Sequence, residues 1–142
     1  MGMKSPSFPP SAEADVVLLT EEPLDASSAA ACVEDAEHGA VVVFEGRVRG
    51  TENGTPIAAI AYEAYAPMAE GSLSAIVREA REERGVRLAI HHRLGRVPVN
   101  EASLIVAAGA GHRAEAFDAC RWAVDAVKAR AAVWKISFEP LP

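Results

Sequence analysis

Two lysines seven positions apart, Lys128 and Lys135, stand in the run Val127-Lys128-Ala129-Arg130-Ala131-Ala132-Val133-Trp134-Lys135, and they are two of the chain's three lysines. Small or apolar residues surround each, a setting in which an ammonium is costly to bury unless an anion partners it. A second cationic point, His112-Arg113, follows Gly109 and Gly111 where a Gly/Ala-rich segment meets a helical pattern. The unsatisfied N–H groups and positive dipole end of a helix starting there suit a phosphate, although a glycine before a helix is also commonplace. Arg47 and Arg49 precede an Asn53-Gly54 turn, where arginines can fork onto a phosphate or simply be solvated charge at a strand end. Together these residues suit one chemistry, the holding of a small anionic group.

The element that must position most of them is a helix from about His112 to Arg130. It carries Phe117, Cys120, Val124, Val127 and Ala131 on one stripe, a spacing that buries a face. Lys128 falls at the edge of that stripe, where its stem can lie on apolar surface and its ammonium reach a cleft. Trp122 lies opposite, among Glu115, Asp118 and Asp125; a large aromatic there fits contact with another element or partial exposure equally well. His112 and Lys128 are separated by ~24 Å along such a helix at 1.5 Å per residue. A compact ligand does not span that distance. Either the two cationic points serve different sites, or a second copy of the chain brings its His112-Arg113 up to Lys128, which predicts a dimer with composite sites.

The rest of the chain reads as alternating strands and helices. Strands are expected at Val16–Thr20, Gly39–Val48, Ile57–Ala64, Val86–Leu94, Ala102–Ala108 and Val133–Phe138. Helices are expected from an Asp25 cap to about Glu37, from Pro67 to about Arg84, and over the segment just described. Residues 1–14, with Pro6, Pro9 and Pro10, read as a loose leader, and 15–142 as one domain. About three helices and a mixed, largely antiparallel sheet make the fold class a single α/β (α+β) domain.

Composition narrows the function classes. The formal net charge of −6 argues against general nucleic-acid binding, yet the charge is uneven. Residues 1–40 hold one lysine against eight acids, whereas 86–135 hold eight basic against four acidic residues. A basic C-terminal half in an acidic protein fits a small anionic ligand or an acidic peptide end. Cys32 and Cys120 form no CxxC motif, so no metal site is indicated, and both are expected to be buried or half-buried thiols in a reducing compartment. No long apolar run is present, so neither a signal peptide nor a membrane span is expected, and the setting reads as cytoplasmic.

Five segments carry a resemblance. They are Phe44-Glu45-Gly46-Arg47-Val48-Arg49; Tyr62-Glu63-Ala64-Tyr65-Ala66-Pro67-Met68-Ala69; Ile90-His91-His92-Arg93-Leu94-Gly95; Gly111 through Phe117; and Asp125 through Lys135. In this order and spacing the chain resembles the catalytic (large) subunit family of molybdopterin synthase. The resemblance implies an α/β-hammerhead fold and a homodimer that becomes a heterotetramer with a small ubiquitin-like sulfur carrier, whose Gly-Gly tail ends in a thiocarboxylate. It implies sulfur transfer from that tail onto cyclic pyranopterin monophosphate, forming the molybdopterin dithiolene without any cofactor, metal, nucleic acid or membrane. The family's catalytic lysines fall on Lys128 and Lys135. Its substrate-binding residues fall on Phe44, Arg49, His112 and Arg113, the last two contributed by the neighbouring subunit. Lys128 would stabilise the oxyanion formed at the thiocarboxylate carbonyl, or, as a neutral amine, act as nucleophile or base. Departures exist: Ile136 stands where the family has a basic residue, Ala132 where it has proline, Val124 where it has methionine, and the chain stops seven residues after Lys135. A paralogue that binds the carrier without turnover is the alternative.

Overall fold

Two strands buried along nearly their whole length organise the structure. The computed structural model describes residues 16–142, so the expected leader over 1–14 lies outside the described residues. The elements run β1 (Val17–Thr20), α1 (Ala26–Ala31), β2 (Ala40–Arg47), β3 (Thr51–Glu52), β4 (Thr55–Ala64), α2 (Ala66–Glu79), β5 (Arg87–Arg93), β6 (Gly95–Pro98), β7 (Ala102–Ala110), α3 (Arg113–Arg130) and β8 (Val133–Pro140). The strands divide between two sheets. The first has the order β1-β5-β7-β2, with β1 parallel to β5 and the other pairs antiparallel. In the second, β4 pairs antiparallel with β3, β6 and β8.

Strands β5 and β7 are covered on both faces, which is why they read as continuous apolar runs rather than alternating ones. Leu88, Ile90, Leu104, Val106 and Ala108 face α2 and α3 in the main core, while Ala89, Ile105 and Ala107 face α1 with Ala29, Cys32 and Val33. The second sheet has its own small core of Val48, Ile57, Ile60 and Val97. Leu73, Ile76, Leu88, Ile90 and Ile105 are fully enclosed, each contributing roughly 1.5–3 kcal/mol of transfer free energy.

Local chemistry sets the boundaries. Asp25 caps α1 by accepting from the Ser27 N–H at 3.1 Å. The helix ends at Ala31, short of the expected Glu37, because Asp35 takes the Glu37 N–H at 2.8 Å and favours a turn over a further helical round. Asn53 and Gly54 both adopt positive φ, 52° and 79°, as a two-residue hairpin between β3 and β4 demands. Helix α2 widens into a π-helical stretch over Ala80–Arg84 and stops at Gly85, whose φ of 66° is left-handed. Strand β6 falls in a segment the sequence marks only as a Gly/Pro loop; it lies antiparallel to β4, and its Pro98 needs no ladder donor at the strand end. No helix among the described residues is long and apolar enough to cross a membrane.

Helix α3 departs from its expected stripe. Ala116, Ala119, Cys120, Ala123, Ala126 and Val127 form the buried face, and Phe117 is 60% exposed. The sheet surface below admits small residues at close approach, so the alanines turn inward and the larger ring is left at the margin. Trp122 is half-buried against the core, and the Arg84 guanidinium lies 4.8 Å above its ring.

Gly109 sits where β7 passes under the turn after α1. A Cβ there would clash with the Val33 carbonyl oxygen and lie 2.8 Å from His38 Nδ1, whereas one at Gly71, within α2, meets nothing within 4 Å. Gly109→Ala is therefore expected to lower stability by about 1–3 kcal/mol in urea unfolding, and Gly71→Ala to raise it by about 0.5–1 kcal/mol. Equal effects from the two would mean that close packing at β7 does not set the difference.

Candidate functional site

A cavity of about 490 Å³ opens where the two sheets and the C-terminal end of α3 meet. Phe44, Arg49, Lys128 and Lys135 all line it, together with Tyr62, His92 and Ser103 among others. Each reaches the cavity for a local reason. The 2-residue alternation of β2 turns Phe44 inward and Glu45 outward, while the register shift between Gly46 and Arg47 leaves Arg47 also bordering the cavity. Arg49 follows two residues after the strand ends. Lys128 lies in the last turn of α3, where a cation also complements the helix dipole.

Lys135 depends on an irregular ladder. Ala61 pairs with Ser137 but Tyr62 pairs with Lys135, so the register shifts between them. One extra residue, Ile136, is accommodated on β8, and such a bulge re-aims the neighbouring side chains. The link between the two lysines is pinned in turn: the Ala132 N–H donates to Ser72 Oγ at 3.4 Å, and Ser72 Oγ donates to the Ala69 carbonyl at 2.9 Å. Arg130 forks onto Glu79, with Nη1 donating to Oε1 at 3.0 Å and Nη2 to Oε2 at 2.5 Å. This ties the end of α3 to the end of α2.

The electrostatics are lopsided. Arg47 is drawn onto Glu45 at 3.1 Å. Arg49, Lys128 and Lys135 make no ion pair among the described residues. Among the described residues only Glu52 brings negative charge to the wall. Both lysines are largely exposed, which corrects the expectation of ammonium groups enclosed by apolar residues. The cavity is a crevice open to water, so their solvation is kept and no buried counter-charge is required.

His112 and Arg113 are not in this cavity. They lie exposed at the opposite end of α3, His112 as its N-cap residue. Sequence reasoning singled out neither Tyr62 nor His92 as site residues, although both fall in segments that carry the resemblance. His92 is buried near the end of β5. Its Nδ1 lies 2.9 Å from the Arg93 carbonyl, and its ring meets Tyr62 edge-on at 5.2 Å between centroids. Burial pushes its pKa below the ordinary 6.5, and the Lys128 charge pushes the same way against the pull of the Arg93 carbonyl. A neutral imidazole thus sits beside a cluster of cations. Cys32 and Cys120 are both buried, and burial raises the Cys120 pKa. Neither lines the cavity.

The family model described as MoaE protein matches residues 19–130. The molybdopterin synthase catalytic subunit of Oryza sativa subsp. indica is 45% identical over 127 residues, covering 87% of this chain, while the chain spans 66%, just under two thirds, of the rice protein's length. The protein of the same description from Nostoc sp. is 41% identical over 85% of this chain and 74% of its own. The crystal structure of molybdopterin synthase from Staphylococcus aureus superposes with a TM-score of 0.81 at 31% identity, covering 84% of this chain and 88% of that one. The cavity is thus carried on the fold of that structure, and the chain belongs to the MoaE family, that of molybdopterin synthase catalytic subunits.

Proposed function

We propose that this chain is the sulfur-transferring subunit of a molybdopterin synthase. It takes sulfur from the thiocarboxylated Gly-Gly terminus of a small ubiquitin-like carrier and places it on cyclic pyranopterin monophosphate, building the dithiolene of molybdopterin. The observation that carries this reading is the convergence of Arg49, Lys128 and Lys135, without acidic partners among the described residues, on one open cavity. A thiocarboxylate tail and a substrate phosphate are both anions, and both gain from such a crevice.

In the proposed reaction Lys128 donates to the oxyanion that develops when the carrier's carbonyl is attacked. Lys135, across the crevice on β8, orients the carrier terminus or the substrate. Arg49 holds the phosphate and Phe44 provides an apolar wall for the pterin. Sulfur arrives on the carrier, so the buried thiols of Cys32 and Cys120 have no part in the transfer. Both fit the reducing cytoplasm in which we place the protein.

His112 and Arg113 enter the same scheme through a second copy of the chain. Support comes from β2, an edge strand of the first sheet, whose outward Val41 and Val43 are exposed beside the exposed Phe117. An open strand edge with apolar neighbours is a surface that association covers. In the assembly proposed, each copy lends its His112-Arg113 to its partner's crevice, and each binds one carrier.

Incubation with thiocarboxylated carrier and cyclic pyranopterin monophosphate tests the reaction. Dithiolene product is expected, and Lys128→Ala should lose roughly 2.7–4 kcal/mol of transition-state stabilisation, about 10²–10³-fold in rate, as when one oxyanion donor is removed. Tight carrier binding without product would select the non-catalytic paralogue instead. Lys128→Ala and His112→Ala should each be defective alone. Exchanged into mixed dimers, they should regain about a quarter of wild-type sites, because half the dimers are mixed and each of those has one intact composite site. No recovery despite demonstrated exchange refutes the shared site.

A further inference from the structure

The cavity is lined by a histidine, His92, that the scheme above leaves unused. Sulfur cannot leave the carrier by forming a bond to the substrate alone, because that joins carrier and pterin through a thioester. Release needs a nucleophile at the carrier's carbonyl, and with no other acceptor that nucleophile is water. Water attacks carbonyls slowly unless a base removes its proton as the bond forms. Lys128 and Lys135, acting as cations, have no lone pair to offer.

We propose that His92 is the general base of this release step, a role that rests on the functional reading above. The Arg93 carbonyl is an acceptor only, so the His92 Nδ1 at 2.9 Å must carry the hydrogen. The lone pair is thereby placed on Nε2. That atom has no protein partner among the described residues, and it is not among the side-chain atoms sealed from solvent without one. Since His92 is a wall of the cavity and otherwise buried, Nε2 meets solvent on the cavity side. The edge-on contact with Tyr62 and the backbone anchor hold the ring in one orientation.

The step balances without an oxidant or cofactor. Water oxygen bonds to the thioester carbonyl carbon as one proton passes to Nε2, and Lys128 stabilises the tetrahedral oxyanion. The carbon–sulfur bond to the carrier then breaks, its electron pair staying on the pterin sulfur as a thiolate. The carrier leaves as a carboxylate after losing the second proton to bulk water, and the imidazolium returns its proton to the solvent.

The surroundings keep the base available. Titratable and charged groups sharing the cavity with His92 are Lys128 on α3, Lys135 on β8, Tyr62 on β4, and Arg47, Arg49 and Glu52 around the end of β2 and the hairpin. Across the sheet its strand neighbours are the apolar Leu19 and Leu104. Burial of the ring, with the Lys128 charge acting the same way against the Arg93 carbonyl, holds the imidazole's pKa below 6.5. The basic form therefore predominates at neutral pH and persists to lower pH than for an ordinary histidine.

Single-turnover reactions followed by intact-mass spectrometry of the carrier provide the test, comparing wild type with His92→Asn. Asparagine keeps an N–H donor for the Arg93 carbonyl but has no base in place of Nε2. The variant is expected to accumulate a carrier–pterin adduct and to release carrier about 10²–10⁴-fold more slowly. Wild-type release should decline in acid with a midpoint below 6.5, and that acid limb should be absent in the variant. Release from the variant at the wild-type rate with no adduct, or an acid limb that wild type and variant share, overturns the assignment. Should that variant fail to fold by circular dichroism, His92→Gln, read by the same adduct and release measurements, takes its place. Wild-type protein that forms neither adduct nor dithiolene overturns the functional reading and this inference together; normal wild-type turnover with an unaffected variant overturns the inference only.

Discussion

Like charges held together without counter-charges are the constraint on which the structure around the cavity depends. Two unit charges 4 Å apart repel by about 1 kcal/mol in water and about 4 kcal/mol at a protein surface with an effective dielectric constant near 20. Arg49, Lys128 and Lys135 come from a loop, a helix end and a strand, and each flexible stem could swing away to relieve that repulsion. The scaffold limits how far the points of attachment can separate. Strand β8 is bound along β4, α3 is buried on its alanine face, and the two residues between them are pinned through Ser72. Anions entering the crevice relieve the repulsion, so the folding energy spent on gathering the cations is returned as affinity.

The same arrangement explains why acids elsewhere on the chain do not quench the site. Glu79 is engaged by Arg130, Glu45 by Arg47, Glu139 by Arg96 and Glu101 by Arg93. Each of these carboxylates has its own arginine partner, and none of them lines the crevice. The exposed pairs among them, such as Arg47–Glu45 and Arg96–Glu139, add little stability. Their consequence here is local: the chain's net charge is −6, yet the cavity wall carries one acid against several bases.

Much of this was legible in the residues. The lysine pair, Arg49 and Phe44 were marked by type and by resemblance, and they line one cavity; regular periodicity accounts for Phe44 and Lys128, while Lys135 reaches it through a register shift. What the sequence hid has physical causes. Periodicity gave α3 a stripe through Phe117, because hydrophobicity alone cannot tell that a close helix–sheet contact admits alanine and excludes phenylalanine. It gave one sheet where there are two, since the register shift at Tyr62 and the pairing of β6 with β4 are long-range matters. His92 was invisible as a functional group, because a histidine inside an apolar strand reads equally as core. Only the accessible cavity beside Nε2 separates the two.

Helix α3 is where fold and proposed chemistry become one problem. Its C-terminal turn presents Lys128 to the cavity of its own chain, while His112 and Arg113 lie exposed beyond reach at its other end. A helix this long cannot fold both ends into one monomeric pocket, and shortening it would uncover the alanine face that packs on β7. Under the proposed assembly the length has a use, because a two-fold axis lets the distant end of one helix complete the crevice of the next. Complete sites would then exist only in the associated state. Substrate would favour dimers and dimers would favour substrate by the same free energy, since linkage between binding and assembly is reciprocal.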